Sequence, residues 1–248
     1  MLTDLHNERI LITGGSKGLG RSIATALVAD GATVTIVARS QTLAGELAGT
    51  NVTLVSGDVT NKVFVDTVIG DLQPTILILN AGATPVMAPI DEQGWEDFSA
   101  IWNTDVKAGL YGIQAALKTP IPQGSRVLVV SSGAALGGSP LSGGYAGAKR
   151  MLGFMVQYAN QVAIQRSLGI RFQAILPMQI IGDTNLGQQA AGAYAKRKNI
   201  TVESYLSAAG KPLSAQTYAT HFIKLLTDKS YADGVAYGIK HDGITKLE

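Results

Sequence analysis

Short apolar runs recur along this chain, and each gives way to a stretch with helical spacing. Ile10-Leu11-Ile12 is the first run, and residues 33–38, 52–55, 76–79, 127–130, 171–176 and 235–239 follow it. Between them, helical periodicity covers residues 21–30, closed by Gly31, then 61–72, a long stretch from 93 to 117, and another from 145 to 167. The runs are four to six residues long and mostly do not alternate with polar positions. A strand buried on both faces needs that pattern, and a parallel sheet covered by helices on each side provides such strands. Strand–helix alternation predicts a single α/β domain over residues 1–248, a doubly wound parallel sheet of about seven strands. Ligands of such sheets sit outside the carboxyl ends of the strands. The chain therefore has its chemistry just after strands, or in the helices that follow them. One segment, 178–200, breaks the rhythm. It is rich in Gly, Gln and Ala and follows the sixth strand. Its position predicts a substrate lid, with a surface helical excursion as the alternative.

Composition narrows the picture. Of 248 residues, 46% are hydrophobic and 15% charged, which excludes a disordered chain. A net charge of +2, with only Lys196-Arg197-Lys198 as a basic cluster, gives no electrostatic footprint for nucleic acid. The absence of cysteine removes disulfides, thiol catalysis and thiolate metal sites. His6, His221 and His241 are too scattered to suggest a metal site. No apolar run nears the ~20 residues of a membrane helix, and residues 1–9 carry no apolar signal core. A soluble, cytoplasmic protein is expected.

The turn after the first strand reads Thr13-Gly14-Gly15-Ser16-Lys17-Gly18-Leu19-Gly20. Glycines at a strand-to-helix turn permit a sharp reversal and close approach of backbone to a pyrophosphate. The amino terminus of the helix adds free N–H groups and the positive end of a dipole. The spacing is Gly-x-x-x-Gly-x-Gly. At the end of the second strand, where an acidic residue would bind a ribose 2′-hydroxyl, stand Ala38-Arg39-Ser40. Arg39 and Lys17 suit a 2′-phosphate instead, which predicts NADP(H).

Tyr145 and Lys149 are four residues apart, and Ser132 lies thirteen residues before the tyrosine. A free tyrosine has a pKa of ~10, and a neighbouring cation lowers it by stabilising the phenolate. Four residues is one helical turn, so Lys149 shares a helix face with Tyr145. Ser132 ends the fifth strand and offers a hydroxyl that could aim a carbonyl oxygen; Ser131 is the competing choice, and the thirteen-residue gap favours Ser132.

Together these residues resemble the short-chain dehydrogenase/reductase family, over almost the whole chain. The matching motifs, in order, are Thr13-Gly-x-x-x-Gly18-x-Gly20, Asp58-Val59, Asn80-Ala81-Gly82, Ser132 and Tyr145-x-x-x-Lys149. The resemblance implies a Rossmann-like sheet with strand order 3-2-1-4-5-6-7 and a homotetramer or homodimer. It implies that Asp58 and Val59 lie at the adenine, that Asn80, Ala81 and Gly82 pack along the cofactor, and that Lys149 binds the nicotinamide ribose. Three positions depart from the pattern. The asparagine that the family carries after the fourth strand, as a fourth catalytic residue, is matched here by Asp105, with Asn103 as the alternative. Pro177 is followed by Met178 where glycine is usual. Ala148 replaces a common serine. Thr184 is the candidate for the threonine that meets the nicotinamide amide.

The reading is an NADP(H)-dependent oxidoreductase for a small-molecule carbonyl or secondary alcohol. Residues 85–89, 133–141 and 178–194 would line its pocket, and their small, apolar character suits a neutral substrate. The alternative is an NADP(H)-sensing regulatory protein with little or no turnover. The long helical stretches 93–117 and 145–167 are apolar around much of their surface, which predicts a symmetric interface between copies.

Overall fold

A computed structural model describes residues 4–43, 45–208 and 210–247. Eight strands form one sheet: β1 (Arg9–Thr13), β2 (Thr33–Ala38), β3 (Val52–Ser56), β4 (Ile76–Leu79), β5 (Arg126–Val130), β6 (Arg171–Pro177), β7 (Ala236–Lys240) and β8 (Gly243–Lys246). Their spatial order is β3-β2-β1-β4-β5-β6-β7-β8. All pairs are parallel except β7–β8, a hairpin with Ile239 opposite Ile244. The order reverses between β1, which faces Thr33–Val37 of β2, and β4, which pairs with β1 from Ile10↔Ile76 to Thr13↔Leu79. That reversal opens a crevice at the carboxyl ends of β1 and β4.

The apolar runs are continuous because both faces of the sheet are covered. Ile10, Ile12, Ile78 and Leu128 join Ile23 and Leu27 of α1 (Gly18–Ala29) and Phe222 and Leu225 of α9 (Ala215–Thr227) on one side. Leu11, Leu77, Val127 and Val129 pack on the other side. There they meet α2 (Lys62–Leu72), α4 (Lys107–Lys118) and α6 (Gly143–Gln165). Neighbouring residues of one strand thus feed opposite cores. Each fully buried Leu, Ile or Phe contributes roughly 1.5–3 kcal/mol.

Local signals set several element ends. Asn61 caps α2 by accepting from the Phe64 N–H at 3.2 Å, and Ser214 caps α9 by accepting from Thr217 at 3.0 Å. The long stretch expected at 93–117 is three pieces: α3 (Trp95–Ile101), a wider π-turn over Trp102–Val106, and α4. Segment 178–200 is mainly helical, with α7 (Asn185–Lys198) followed by α8 (Val202–Ser207). Thr184 caps α7, and Asn199 closes it in the left-handed region at φ 54°. A short helix, α5 (Ala134–Gly137), follows β5. Strand β8 is short and half exposed, and it extends the expected seven strands by one. Among the described residues no helix is long and apolar enough to cross a membrane.

Candidate active site

The glycine turn leaves β1 and packs against the end of β4. Gly14 has φ 69°, and a Cβ there would stand 2.8 Å from Ala81 Cα. A Cβ on Gly20 would lie 2.3 Å from the Gly14 carbonyl oxygen and 2.4 Å from Asn80 Nδ2. Both glycines are therefore fixed by close approach. Gly18, at φ 54° with open space around it, is required only by its backbone angle. Asn80 donates through Nδ2 to the carbonyl oxygens of Thr13 and Gly14, at 3.1 and 3.2 Å. The Thr13 hydroxyl accepts from the N–H groups of Asn80 and Ala81, at 3.0 and 3.1 Å. Thr13 thus joins the two sides of the crevice, a role its place in the turn motif did not reveal.

The first turn of α1 opens into this cradle. Its N-cap, Lys17, is extended and uses no side chain to satisfy the free N–H groups. Ser16 and Leu19 are half-buried beside it, and Lys17 and Arg39 are exposed. An unblocked helix amino terminus and glycines that admit close approach fit a dinucleotide pyrophosphate, and the two exposed cations suit a further phosphate. Asp58 accepts from the Thr60 N–H at 2.8 Å and from its hydroxyl at 2.9 Å. Those bonds, helped by the charge of Arg39, hold its carboxyl below the usual range. Val59 packs at the edge of the core under α2.

The second cluster lies at the carboxyl end of β5. Ser131 is buried, and its hydroxyl donates to the backbone oxygen of Lys149 at 2.8 Å, so it anchors α6 to the sheet. Ser132 is half-buried, and its Oγ accepts from the Ala134 N–H at 3.2 Å. Of the two serines, only Ser132 keeps a proton to donate outward. Tyr145 and Lys149 face the same way from α6, with the ammonium 5.6 Å from the phenol ring centroid. Lys149 is 6% exposed and donates to the Val130 carbonyl at 3.3 Å.

The π-turn settles which residue faces Lys149. Asn103 is exposed, whereas Asp105 is 2% exposed. Asp105 Oδ2 lies 3.0 Å from Lys149 Nζ, and Oδ1 accepts from the Ala83 N–H at 2.8 Å. Gly82 admits this carboxylate, since a Cβ there would be 2.7 Å from Oδ2. Asp105 therefore ties the Asn80–Gly82 segment to the lysine. Burial pulls the Lys149 ammonium pKa down, but the Asp105 charge, with smaller help from Tyr145, outweighs it, and the net direction is upward.

Beyond β6 the predicted residues do other work first. Pro177 accepts from the Gly133 N–H at 2.8 Å, fixing the floor between β5 and β6. Met178 turns its side chain onto Gly238 of β7, where a Cβ would be 2.9 Å from its Cγ. The Thr184 hydroxyl donates to the Ile181 carbonyl at 2.9 Å and accepts from the Gly187 N–H at 3.0 Å, so it serves as the cap of α7.

Sequence and fold comparisons place the chain in a family. The profile of the short chain dehydrogenase family matches residues 8–193, and the chain belongs to that family. Similar curated proteins include uncharacterized oxidoreductases of Staphylococcus aureus strains MW2 and USA300. Each is 31% identical over 136 residues, covering 52% of this chain and 59% of the relative, so the match spans well under two thirds of those proteins. Among solved structures, the ligand-free aldohexose dehydrogenase of Thermoplasma acidophilum superposes with a TM-score of 0.77 at 18% identity, over 97% of this chain and 95% of that one. A short chain dehydrogenase family protein from Francisella tularensis gives 0.75 at 21% identity, over 93% and 95%. At those identities the two structures speak for the fold.

Proposed function

We propose that this chain is an NADP(H)-dependent oxidoreductase that interconverts a carbonyl and a secondary alcohol on a small, largely apolar molecule. The observation that carries the reading is the buried Lys149 ammonium, held one helical turn from Tyr145 beside the Gly14–Gly20 cradle. The nicotinamide, when bound, supplies or accepts the hydride. Tyr145 gives its phenolic proton to the carbonyl oxygen as that oxygen gains negative charge, and takes it back in oxidation. Lys149 stabilises the phenolate left behind. Ser132 donates a hydrogen bond to the same oxygen and aligns it. Gly14, Ser16, Gly18, Leu19 and Gly20 would hold the pyrophosphate, and Lys17 and Arg39 the 2′-phosphate. Asp58 and Val59 would meet the adenine, Asn80, Ala81 and Gly82 would line the cofactor's length, and Pro177 and Thr184 would border the nicotinamide.

A panel of ketones, aldehydes and secondary alcohols, followed at the nicotinamide absorbance with NADPH or NADP, tests the reading. One observation favours the regulatory alternative. Asp105 offsets the Lys149 charge that would otherwise serve Tyr145. Tight NADPH binding with no turnover across the panel would support that sensor. Working as a homodimer or homotetramer is part of the proposal. On α6, Phe154 and Tyr158 stack at 6.4 Å with 38% and 53% of their surface exposed, and Leu110 of α4 is 38% exposed. A second copy would cover these exposed apolar side chains.

A further inference from the structure

The excursion between β6 and α9 is fastened at its base and at its far end. At the base, Ile181 bridges Leu213, and the Asp183 carboxylate accepts from the Ala215 N–H at 2.9 and 3.1 Å. At the far end, Tyr194 of α7 reaches the loop that follows β5 and α5. Its hydroxyl lies 2.6 Å from Ser139 Oγ and accepts from the Leu141 N–H at 3.4 Å. Ser139 Oγ is also 2.6 Å from Ser142 Oγ. The Leu141 N–H can only donate, so Tyr194 Oη accepts there, and the Tyr194, Ser139 and Ser142 hydroxyls form one chain whose bonds can run in either direction. Ser142 is buried, precedes α6 directly and lies three residues before Tyr145. The Tyr194 ring stacks on Tyr205 of α8 at 5.6 Å and 6°, and the Lys198 ammonium sits 5.3 Å from the Tyr205 ring centroid. The ring therefore binds α7 to α8, while the hydroxyl binds the pair to the body.

Leu141 is the meeting point. Its N–H goes to Tyr194, and its carbonyl accepts from the Ala88 N–H at 2.9 Å. The three segments expected to line the pocket, 85–89, 133–141 and 178–194, are joined there by two bonds. Of these two, the Tyr194 bond crosses to the lid side, beside the Tyr194–Ser139 contact. From this we infer that Tyr194 is the positioning residue of the lid: its hydroxyl latches α7 and α8 onto the Ser139–Ser142 loop and sets how substrate is enclosed over Ser132 and Tyr145. The inference rests on the proposed reading of segment 178–200 as a substrate lid.

Trypsin tests the latch without cofactor or substrate. Lys196, Arg197 and Lys198 are exposed at the end of α7, and cleavage there requires the helix to open locally. Tyr194→Phe keeps the stacked ring and removes only the hydroxyl. Nicking at 196–198, located by mass spectrometry, should become about 3- to 10-fold faster, the worth of one or two neutral hydrogen bonds. Ser139→Ala should act in the same direction. The double variant should be no faster than the faster single one, because both substitutions break one linkage. In the kinetic arm, Tyr194→Phe should raise KM for the carbonyl found by the panel by about 3- to 10-fold, with a smaller change in kcat. Unchanged nicking in Tyr194→Phe, or singles whose effects multiply in the double variant, would overturn the latch. Faster nicking with unaltered KM would overturn its role in enclosing substrate. A chain that reduces nothing in the panel would count against the proposed function, while the nicking arm would still judge the latch.

Discussion

Replacing Asp105 with Asn separates what its carboxylate does for the fold from what it does for chemistry. The side chain is 2% exposed, and its Oδ2 lies 3.0 Å from a lysine that is itself 6% exposed. Removing one partner of a buried ion pair strands the other charge and costs ~3–5 kcal/mol. Asn keeps the shape, an oxygen for the Ala83 N–H and an oxygen or dipole near the ammonium, so the loss should fall below that range, at about 2 kcal/mol. For a chain of this size that lowers Tm by roughly 4–8 °C. The pH dependence gives a sharper check. The Lys149 ammonium holds its proton more firmly in the folded chain than its ordinary value of 10.5 would allow, because Asp105 outweighs the burial that opposes it. A group with a raised pKa stabilises the fold fully below its ordinary pKa and loses that contribution as pH rises through the raised value. Without Asp105, burial alone acts on the ammonium and lowers its pKa, so the stability gap between the parent and Asp105→Asn should be greatest near neutral pH and narrow as pH rises toward and past 10.5. Urea unfolding at a series of pH values measures it. Turnover should stay level or rise, since the Lys149 charge then serves Tyr145 without an opposing carboxylate. An unfolding midpoint unchanged at pH 7 would refute the energetic argument. A tenfold loss of turnover at a temperature where the variant is folded would refute the chemical one.

Three further outcomes are expected. Tyr145→Phe should lower turnover by ~10²–10⁴ while NADPH affinity barely changes, and unimpaired turnover on the true substrate would end the proposed mechanism. NADPH should bind more tightly than NADH, and Arg39→Asp should reverse that order in a direct titration, because it removes a phosphate partner and adds a ribose acceptor; equal affinities in the parent would count against the assignment of Lys17 and Arg39. Light scattering at micromolar concentration should give the mass of a dimer or tetramer, and Phe154→Glu with Tyr158→Glu should shift it toward the monomer; a monomeric parent would remove the interface.

How far the sequence could be read depends on the range of the interaction concerned. The strand cores were legible because each residue of a run such as Val127-Leu128-Val129-Val130 is buried whichever face it meets, and such a run has few other uses. Tyr145 and Lys149 were legible because both lie within one unbroken helix, where four residues is one turn. The preference for Asp105 over Asn103 could rest only on the motif match, for the converse reason. The π-turn over Trp102–Val106 adds a residue to the local turn and rotates everything after it, so a regular 3.6-residue period carried through 93–117 points the wrong faces inward. Nothing local in Trp102-Asn103-Thr104-Asp105-Val106 marks that turn. It is held in place by partners elsewhere in the chain, with Lys149 and the Ala83 N–H on Asp105.

Segment 178–200 shows the same division within one stretch. Its helix was partly legible: Ala and Gln favour helix, Thr184 is a good N-cap, and Lys196-Arg197-Lys198 place positive charge at the negative end of the dipole. Its glycines, spaced along an otherwise weakly amphipathic run, read instead as a loop. Where α7 docks was beyond reach of any pattern, because Tyr194 and Ser139 are separated by 55 positions and meet through two hydroxyls that in isolation look like ordinary surface groups. The same competition bears on Thr184. Its hydroxyl is taken by the Ile181 carbonyl and the Gly187 N–H, and a hydroxyl has one proton to give. A role at the nicotinamide would need either a second acceptor bond at the same oxygen or an opening of the α7 cap. The Tyr194 latch and the Thr184 cap hold the same helix, so under the proposed reading substrate enclosure and contact with the nicotinamide edge would be mechanically linked through α7.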